Sequence, residues 1–411
     1  MFKVGFISVL LRSFTLGSKF LLLFVMARAL SPEDVGVYGL ITTSIGLSLY
    51  VLGMDFYVFN TREILSDKKN NKSKFIRDQF VFHFLMYIVV LPLLIFMFIF
   101  KIIPLDYIIV FYLLLIFEHL SQEFYRLFIT FSRPLLANIL LFIRSGIWIL
   151  IVCFLWVFHY HLTLTTIFIL WLIGAVTSVF VSVIVLKKTG VLKNVFEPIN
   201  WDWIRKGFFV SLPFFISTII FNLMQYIDRY ILQIYHGEKV VGVYTFYMSI
   251  ANAVQVFIFT GIFSILSPKA IKQYQASQVK EYRETMRKMT FTAIVSLVFL
   301  VIFILLGIKP LLNLIGKETY IQSQSLIWIL LIAVSFNTIS QTFHYSLYVR
   351  GMDRQIFLST MISFTVALIA NLMLVPNYSF YGAAISLMLA MISLFSTKMY
   401  FSIKSWKYFM V

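Results

Sequence analysis

The stretch Ser8–Leu30, SVLLRSFTLGSKFLLLFVMARAL, decides how the chain is read. It is long and apolar enough to cross a bilayer, which takes about 20 residues, yet it carries Arg12, Lys19 and Arg28. A cation near the bilayer centre costs about 2.5–3.5 kcal/mol even on insertion-based scales. At about 100° per residue, Arg12 and Lys19 fall within about 20° of each other on a helix, about 10 Å apart along its axis. Ser8 and Thr15 share that stripe. One face is therefore polar and cationic, and the rest can meet lipid. Two readings compete. In one, the face lines a wet cavity that accepts an anion, because intramembrane charge marks substrate or ion pathways. In the other, Arg12 snorkels to the inner surface and Lys19 pairs with a carboxylate on another helix. We favour the cavity. Arg28, near the opposite end, is read as snorkelling.

Composition sets the class. The chain has 411 residues, 61% hydrophobic and 12% charged, with mean hydropathy +0.92. That balance belongs to a polytopic membrane protein. The first apolar segment is too long for a signal peptide and has no small-residue cleavage site, so it is expected to stay as a span. The single cysteine, Cys153, excludes an intramolecular disulfide and a cysteine-based metal cluster. A net charge of +17 raises the question of nucleic acid. In so apolar a chain, basic cytoplasmic loops explain it better, and no nucleic-acid partner is expected.

Apolar runs predict about twelve spanning helices, near 6–30, 36–60, 79–100, 105–130, 135–158, 162–186, 207–233, 241–267, 290–308, 323–348, 357–375 and 380–403. Their connections alternate in charge. One set holds residues such as Arg62, Lys72, Lys74, Arg77, Arg126, Arg133, Lys187, Lys188, Arg205, Lys206, Lys269, Lys272, Arg283, Arg287, Arg350 and Arg354; the other holds only Lys101, Lys239, Lys309 and Lys317. The positive-inside rule puts the first set, and both termini, in the cytoplasm. The segment 268–289, PKAIKQYQASQVKEYRETMRKM, is expected to lie along the cytoplasmic surface, where anionic lipid attracts its cations. Domain boundaries follow: a six-helix lobe over 1–190, a linker over 191–206 and a second six-helix lobe over 207–411. The expected fold class is an all-α integral membrane protein with two pseudo-symmetric six-helix bundles.

The chain repeats itself. SPEDVGVY (31–38) ends the first outer turn, and HGEKVVGVY (236–244) does the same after the seventh helix. Further on, Phe117-x-x-Leu120-Ser121-Gln122-x-Phe124 matches Phe336-x-x-Ile339-Ser340-Gln341-x-Phe343. Six spans separate the halves, so both start on one side of the membrane. This is a parallel repeat, whose two bundles leave a cleft suited to alternating access.

Polar residues recur on helical faces. Glu118, Ser121, Gln122 and Tyr125 share one face of the fourth helix, and Asn337, Ser340, Gln341 and His344 share one of the tenth. Neutral donors and acceptors of this kind suit sugar hydroxyls; interhelical hydrogen bonding, worth about 0.6 kcal/mol each in membranes, is the other reading. Glu123 and Arg126 are expected to pair. The seventh helix carries Asn222, Gln225, Asp228 and Arg229. Neighbours in sequence point about 100° apart, so Asp228 is expected to seek Arg28 or another cavity cation, and Arg229 to line the cleft. Arg144 in the fifth helix has no local acid; Glu118 is its expected partner. Asp55 is expected to pair with Arg12, as a structural ion pair. His83, His119 and His344 stand singly in sequence, and His344 is read as a hydrogen-bonded interior histidine or as a titrating group in a coupling cycle. Glu118 and Asp228 are candidates for ion coupling. No enzyme constellation appears, and neither a cofactor nor a metal is expected.

The run Arg28-Ala-Leu30-Ser-Pro32 through Gly36 and Tyr38, then Gly53-Met-Asp55 and Arg62-Glu63-Ile64, resembles the opening of Wzx-type oligosaccharide flippases. Asp228-Arg229 and Gly242-Val-Tyr244 open the second half in the same way. The motifs are loose, and point to the multidrug, oligosaccharidyl-lipid and polysaccharide exporter superfamily better than to one substrate. The resemblance implies two six-helix lobes in a V. It also implies transfer of an undecaprenyl-pyrophosphate-linked oligosaccharide across the bacterial inner membrane, for O-antigen, lipopolysaccharide or capsule-like polysaccharide. Membrane lipid and other polysaccharide-assembly proteins are the implied partners. The residues fit that cargo: Arg12, Lys19, Arg144 and Arg229 for the pyrophosphate, and Glu118, Gln122, Gln225, Asn337 and Gln341 for the glycan. A MATE-like antiporter for cationic drugs would want a buried acid on an early helix, where this chain has cations. A membrane glycan polymerase or ligase would want a long external loop, and the outer loops here are short.

Overall fold

The protein is described by a computed structural model over residues 2–67, 71–189 and 198–407, with the side chains of residues 2–6, 8, 9, 406 and 407 left aside. The side chain of Ser8, placed above on the cationic stripe, and residues 191–197 of the 191–206 linker thus fall outside the described residues. Among them there are helices and turns and no strand. The helices are α1 (Phe2–Ala29), α2 (Pro32–Gly53), α3 (Phe56–Ser66), α4 (Lys72–Leu94), α5 (Phe96–Ile99), α6 (Ile108–Thr130), α7 (Pro134–Phe142), α8 (Trp148–Val157) and α9 (Leu164–Lys188). They continue with α10 (Trp201–His236), α11 (Glu238–Ile258), α12 (Ser264–Gln275), α13 (Val279–Ile315), α14 (Glu318–Gln322), α15 (Leu326–Tyr348) and α16 (Asp353–Lys407). Five-residue π-turns join α7 to α8 (Ile143–Ile147) and α11 to α12 (Phe259–Phe263).

Among the described residues, eleven helical segments are long and apolar enough to span a membrane. The last, Asp353–Ser405, has 53 residues, about 80 Å of helix against a hydrocarbon core of about 30 Å. It breaks at Ser379, whose φ of 52° and ψ of −135° leave the helical region. Pro376 lies just before the break, and a Cβ on Gly382 would sit 2.4 Å from the Leu374 carbonyl oxygen. The chain therefore folds back tightly there, giving twelve passes in place of eleven. Large apolar side chains face outward along the spans: Leu306 is 75% exposed and Phe303 67%. Water penalises such a surface and lipid does not.

Local chemistry explains the helix ends. Ser31, Pro32 and Asp34 start α2. Ser31 Oγ donates to Asp34 Oδ2 at 2.7 Å while the Asp34 N–H donates to Ser31 Oγ at 3.0 Å, a reciprocal cap with proline at the first helical position. Gly316, at φ 70°, ends α13.

Three expectations are corrected. The second span is not one helix over 36–60. It stops at Gly53, turns through Met54 (φ 44°) and Asp55 (φ 51°), and restarts as α3. The segment 268–289 forms no separate surface helix. Its halves prolong α12 and α13, and α13 reaches 37 residues, about 55 Å. Trp201–Lys206 is not linker but the first turns of α10, and Trp203 is buried against Phe56, Phe59 and Phe75.

The chain divides into two compact units, one of Met1–Leu30 with Leu40–Ile219, the other of Ser31–Gly39 with Ile220–Val411. In the first, α6 packs on α7 and α9, and α1 on α7 and α8. In the second, α15 packs on both α11 and α13 and along α16. The opening turns of α2 belong to the second unit. There the two copies of the Gly-Val-Tyr motif meet: a Cβ on Gly36 would lie 2.0 Å from Glu238 O, and one on Gly242 1.8 Å from Pro32 O.

Candidate functional site

In the first unit the cationic stripe of α1 meets polar side chains of α6, α7 and the π-turn. Arg12 donates from Nε to Asn138 Oδ1 at 3.0 Å and from Nη2 to Tyr125 Oη at 2.6 Å. Both partners are neutral, so they orient the guanidinium without cancelling its charge. Asp55 is not among its partners, which corrects the expected Arg12–Asp55 pair. The physical reason is the helix break, which puts Asp55 at the left-handed residue before α3. Arg28 is exposed, with its guanidinium 6.0 Å from the Trp156 ring centre.

Arg144 sits in the π-turn. Its Nε lies 3.5 Å from Glu118 Oε2, the pairing expected from the sequence, and its buried Nη1 has no protein hydrogen-bond partner. A π-turn leaves a carbonyl outside the regular α ladder. Here the Trp148 indole N–H donates to Arg144 O at 2.9 Å. Helix α9 comes close at Gly174, where a Cβ would stand 3.1 Å from Ile143 O and 2.9 Å from Trp148 Cδ1. The same helix supplies Trp171, whose Nε1–H donates to Glu118 Oε1 at 2.8 Å. Glu118 thus has both oxygens engaged. Lys19 is exposed and lies within electrostatic reach of Arg144 and Glu118. Lys19 and Arg144 thus lie near one carboxylate, while Arg12 is held by the neutral Asn138 and Tyr125.

The rest of the fourth-helix stripe divides. Ser121 shares a hydrogen bond of 2.8 Å with Ser178 of α9. Gln122 is half-buried and makes no side-chain hydrogen bond among the described residues. Glu123 pairs with Arg126 at 2.5 Å, as expected.

In the second unit Asn337 Nδ2 donates to Gln255 Oε1 at 3.1 Å, while Asn337 Oδ1 is buried without a partner. Gln341 is half-buried and unbonded among the described residues. Gln225 donates a long contact, 3.9 Å, to Met391 Sδ. His344 is not the hydrogen-bonded histidine expected of an interior position: its buried Nδ1 has no partner, and its ring stacks beside Tyr348. Asp228 accepts from the Arg229 N–H at 2.8 Å and from the Tyr244 hydroxyl, and Arg229 Nη1 lies 4.0 Å from its Oδ1. Adjacent residues thus share charge after all, because the long arginine side chain folds back. Arg229 is 5% exposed, flanked by the Tyr226 and Tyr244 rings at 5.4 and 5.9 Å.

Two features escaped the sequence reading. Lys398, 2% exposed, has no ion-pair partner among the described residues and is felt electrostatically by His344; a lone lysine in the apolar run after Ile385 was the available signal. The histidines are not scattered, either: His83 and His119 stand ring to ring at 4.7 Å beside buried Glu123.

Apolar passes with buried cations among them define a multi-pass membrane protein. Over nearly the whole chain the fold is that of the MOP-superfamily transporters. An inward-facing multidrug resistance MATE family transporter of that superfamily superposes with a TM-score of 0.75 at 14% identity, covering 97% of this chain and 98% of its own. The lipid II flippase MurJ in an inward closed conformation gives 0.74 at 13%, covering 98% and 88%. An outward-facing MATE transporter gives 0.58 at 12%, covering 98% and 95%. No curated protein matches the chain. Residues 2–268 match the family described as "Polysaccharide biosynthesis protein", and residues 213–378 match the MatE family. The chain belongs to the polysaccharide biosynthesis protein family.

Proposed function

We propose that the protein is a flippase. It moves an undecaprenyl-pyrophosphate-linked oligosaccharide repeat unit from the cytoplasmic to the outer leaflet of the bacterial inner membrane by alternating access, with both termini in the cytoplasm. One observation carries the reading. Lys19 and Arg144 gather around a single acid, Arg12 is held by neutral partners, and Arg144 keeps a buried N–H group with no protein acceptor. Excess positive charge in a low-dielectric setting is tolerable when a polyanion visits it. A pyrophosphate supplies the charge and several acceptor oxygens. Gln122 and Gln341, half-buried and unbonded among the described residues, offer neutral groups to sugar hydroxyls. The family match supports a polysaccharide pathway, and MurJ supplies a fold precedent for a lipid-linked cargo.

The MatE match over residues 213–378 favours a second reading, a cation-coupled antiporter. Against it, Asp228 is already held by Tyr244 and Arg229, and Glu118 by Trp171 and Arg144. Neither acid is left for a cationic drug. The test is a deletion strain assayed for lipid-linked repeat units. Inner-leaflet accumulation, reversed by the wild-type gene and not by Lys19→Ala, is the expected result. Normal leaflet distribution in the deletion strain would discard the proposal.

A further inference from the structure

We propose that His83, His119 and Glu123 form an intramembrane site for one divalent cation of the zinc class, separate from the cationic stripe. The three residues are fully buried. One ligand atom from each lies within 4.8 Å of the others. His119 and Glu123 are four apart on α6, hence on one face, and His83 comes across from α4. Both ring nitrogens of His83 and Nε2 of His119 have no protein hydrogen-bond partner. Leaving such groups unpaired costs about 1–3 kcal/mol each, and a coordinated ion removes that cost.

The surroundings fit. His119 Nδ1 is 2.7 Å from Tyr87 Oη. With Nδ1–H donating to that oxygen, Nε2 turns its lone pair into the site, the usual outer-shell support for a metal-bound histidine. Glu123 accepts from Gln79 Nε2 on one oxygen and from Arg126 Nη1 on the other, each at 2.5 Å. Each carboxylate oxygen has a second lone pair to give. Arg126 has another support, the Tyr57 ring at 3.8 Å. A Cβ on Gly53 would lie 3.5 Å from His119 Nε2, 3.6 Å from Arg126 Nη1 and 3.7 Å from Glu123 Oε1. The helix break after Gly53 thus leaves room beside two of the ligand atoms. Two imidazoles exclude sodium, magnesium and calcium, which want oxygen, and select zinc, nickel, copper or cobalt. Tetrahedral zinc needs ligand atoms about 3.3 Å apart at zinc–nitrogen distances of about 2.0–2.1 Å. The three atoms, within 4.8 Å of one another, would have to draw in by up to about 1.5 Å on binding. The bound ion would tie α4 to α6 beside the break between α2 and α3.

The test uses full-length protein without a polyhistidine tag, stripped with chelator, loaded with Co²⁺ and desalted. One Co²⁺ per chain, with the intense visible bands of a four-coordinate site that one equivalent of Zn²⁺ bleaches, is expected. His83→Ala and His119→Ala should each abolish retention, Tyr87→Phe should weaken binding by about 10–100-fold, and His344→Ala should change nothing. X-ray absorption on the zinc-loaded wild type, which needs no variant, should show two imidazoles at about 2.0 Å. Retention below about a tenth of an ion per chain, retention by the two alanine variants, or a zinc shell without imidazole would each overturn the proposal.

Discussion

Gly36 and Gly242, the glycines of the repeated Gly-Val-Tyr motif, press their backbones onto each other's helix starts. The Cβ position of Gly36 is 3.1 Å from Gly242 N, and that of Gly242 is 2.9 Å from Gly36 N. The internal repeat is thus not only a record of duplication. Its two copies form one contact in the second unit, at a spacing that excludes even a methyl group.

Gly242→Ala and Gly36→Ala should each destabilise by about 1–3 kcal/mol, since backbone must move to admit the side chain. Gly46→Ala on α2 meets nothing within 4 Å and should be neutral or slightly stabilising, given the helix cost of glycine. Thermal unfolding of the three variants in one detergent checks this. Equal midpoints would contradict the packing.

Lys19 and Arg144 should separate in mutagenesis although both belong to the cationic cluster. Lys19 is exposed and contributes charge, so Lys19→Ala should leave thermal stability within about 0.5 kcal/mol while abolishing surface glycan display. Arg144→Ala strands Glu118 in a buried site and should cost about 3–5 kcal/mol as well as activity. Paired measurement of display and melting decides it. A destabilised Lys19→Ala would show that this lysine is a structural prop.

Asp228 and Tyr244 should be unequal partners. Asp228→Ala leaves Arg229, 5% exposed, without its carboxylate and should cost about 3–5 kcal/mol. Tyr244→Phe removes one donor and should cost about 1–3 kcal/mol. Denaturation of the single and double variants checks this. A double variant well short of the sum is expected, because the two groups touch.

Arg350 closes the end of α15 against the end of α16. It donates to Ser346 O and Ser346 Oγ at 2.6 Å, to Ser402 Oγ at 3.0 Å, to Ser402 O at 3.2 Å and to Ser405 Oγ. Lysine cannot reproduce that planar fork. Arg350→Lys and Arg350→Ala should both destabilise, the latter by about 2–3 kcal/mol, with faster hydrogen exchange over residues 395–405. Unchanged exchange there would refute the tie.

The twelve passes were legible because hydropathy and loop charge are additive along a chain and need no knowledge of neighbours. The fold-back near Pro376 was legible for the same reason. Arg144 with Glu118 was also within reach: a buried cation needs an acid, and adjacent helices in sequence tend to be adjacent in space. The break at Met54 and Asp55 was not, since no proline marks it and both residues adopt positive φ without glycine. Nor was the His83, His119 and Glu123 cluster. Its members come from two helices, and only the crossing of α4 and α6 brings His83 to the His119 and Glu123 pair.

The π-turn at Ile143–Ile147 has one more consequence. By holding an extra residue, it lets α7 and α8 keep independent angular settings, so each packs by its own wheel. Deleting Ile147 would let the wide turn close into the regular α ladder, and the Arg144 carbonyl, which now accepts from the Trp148 indole, would rejoin it. A single residue lost there should therefore be better tolerated than one lost within α7 or α8, which would turn everything beyond by about 100°.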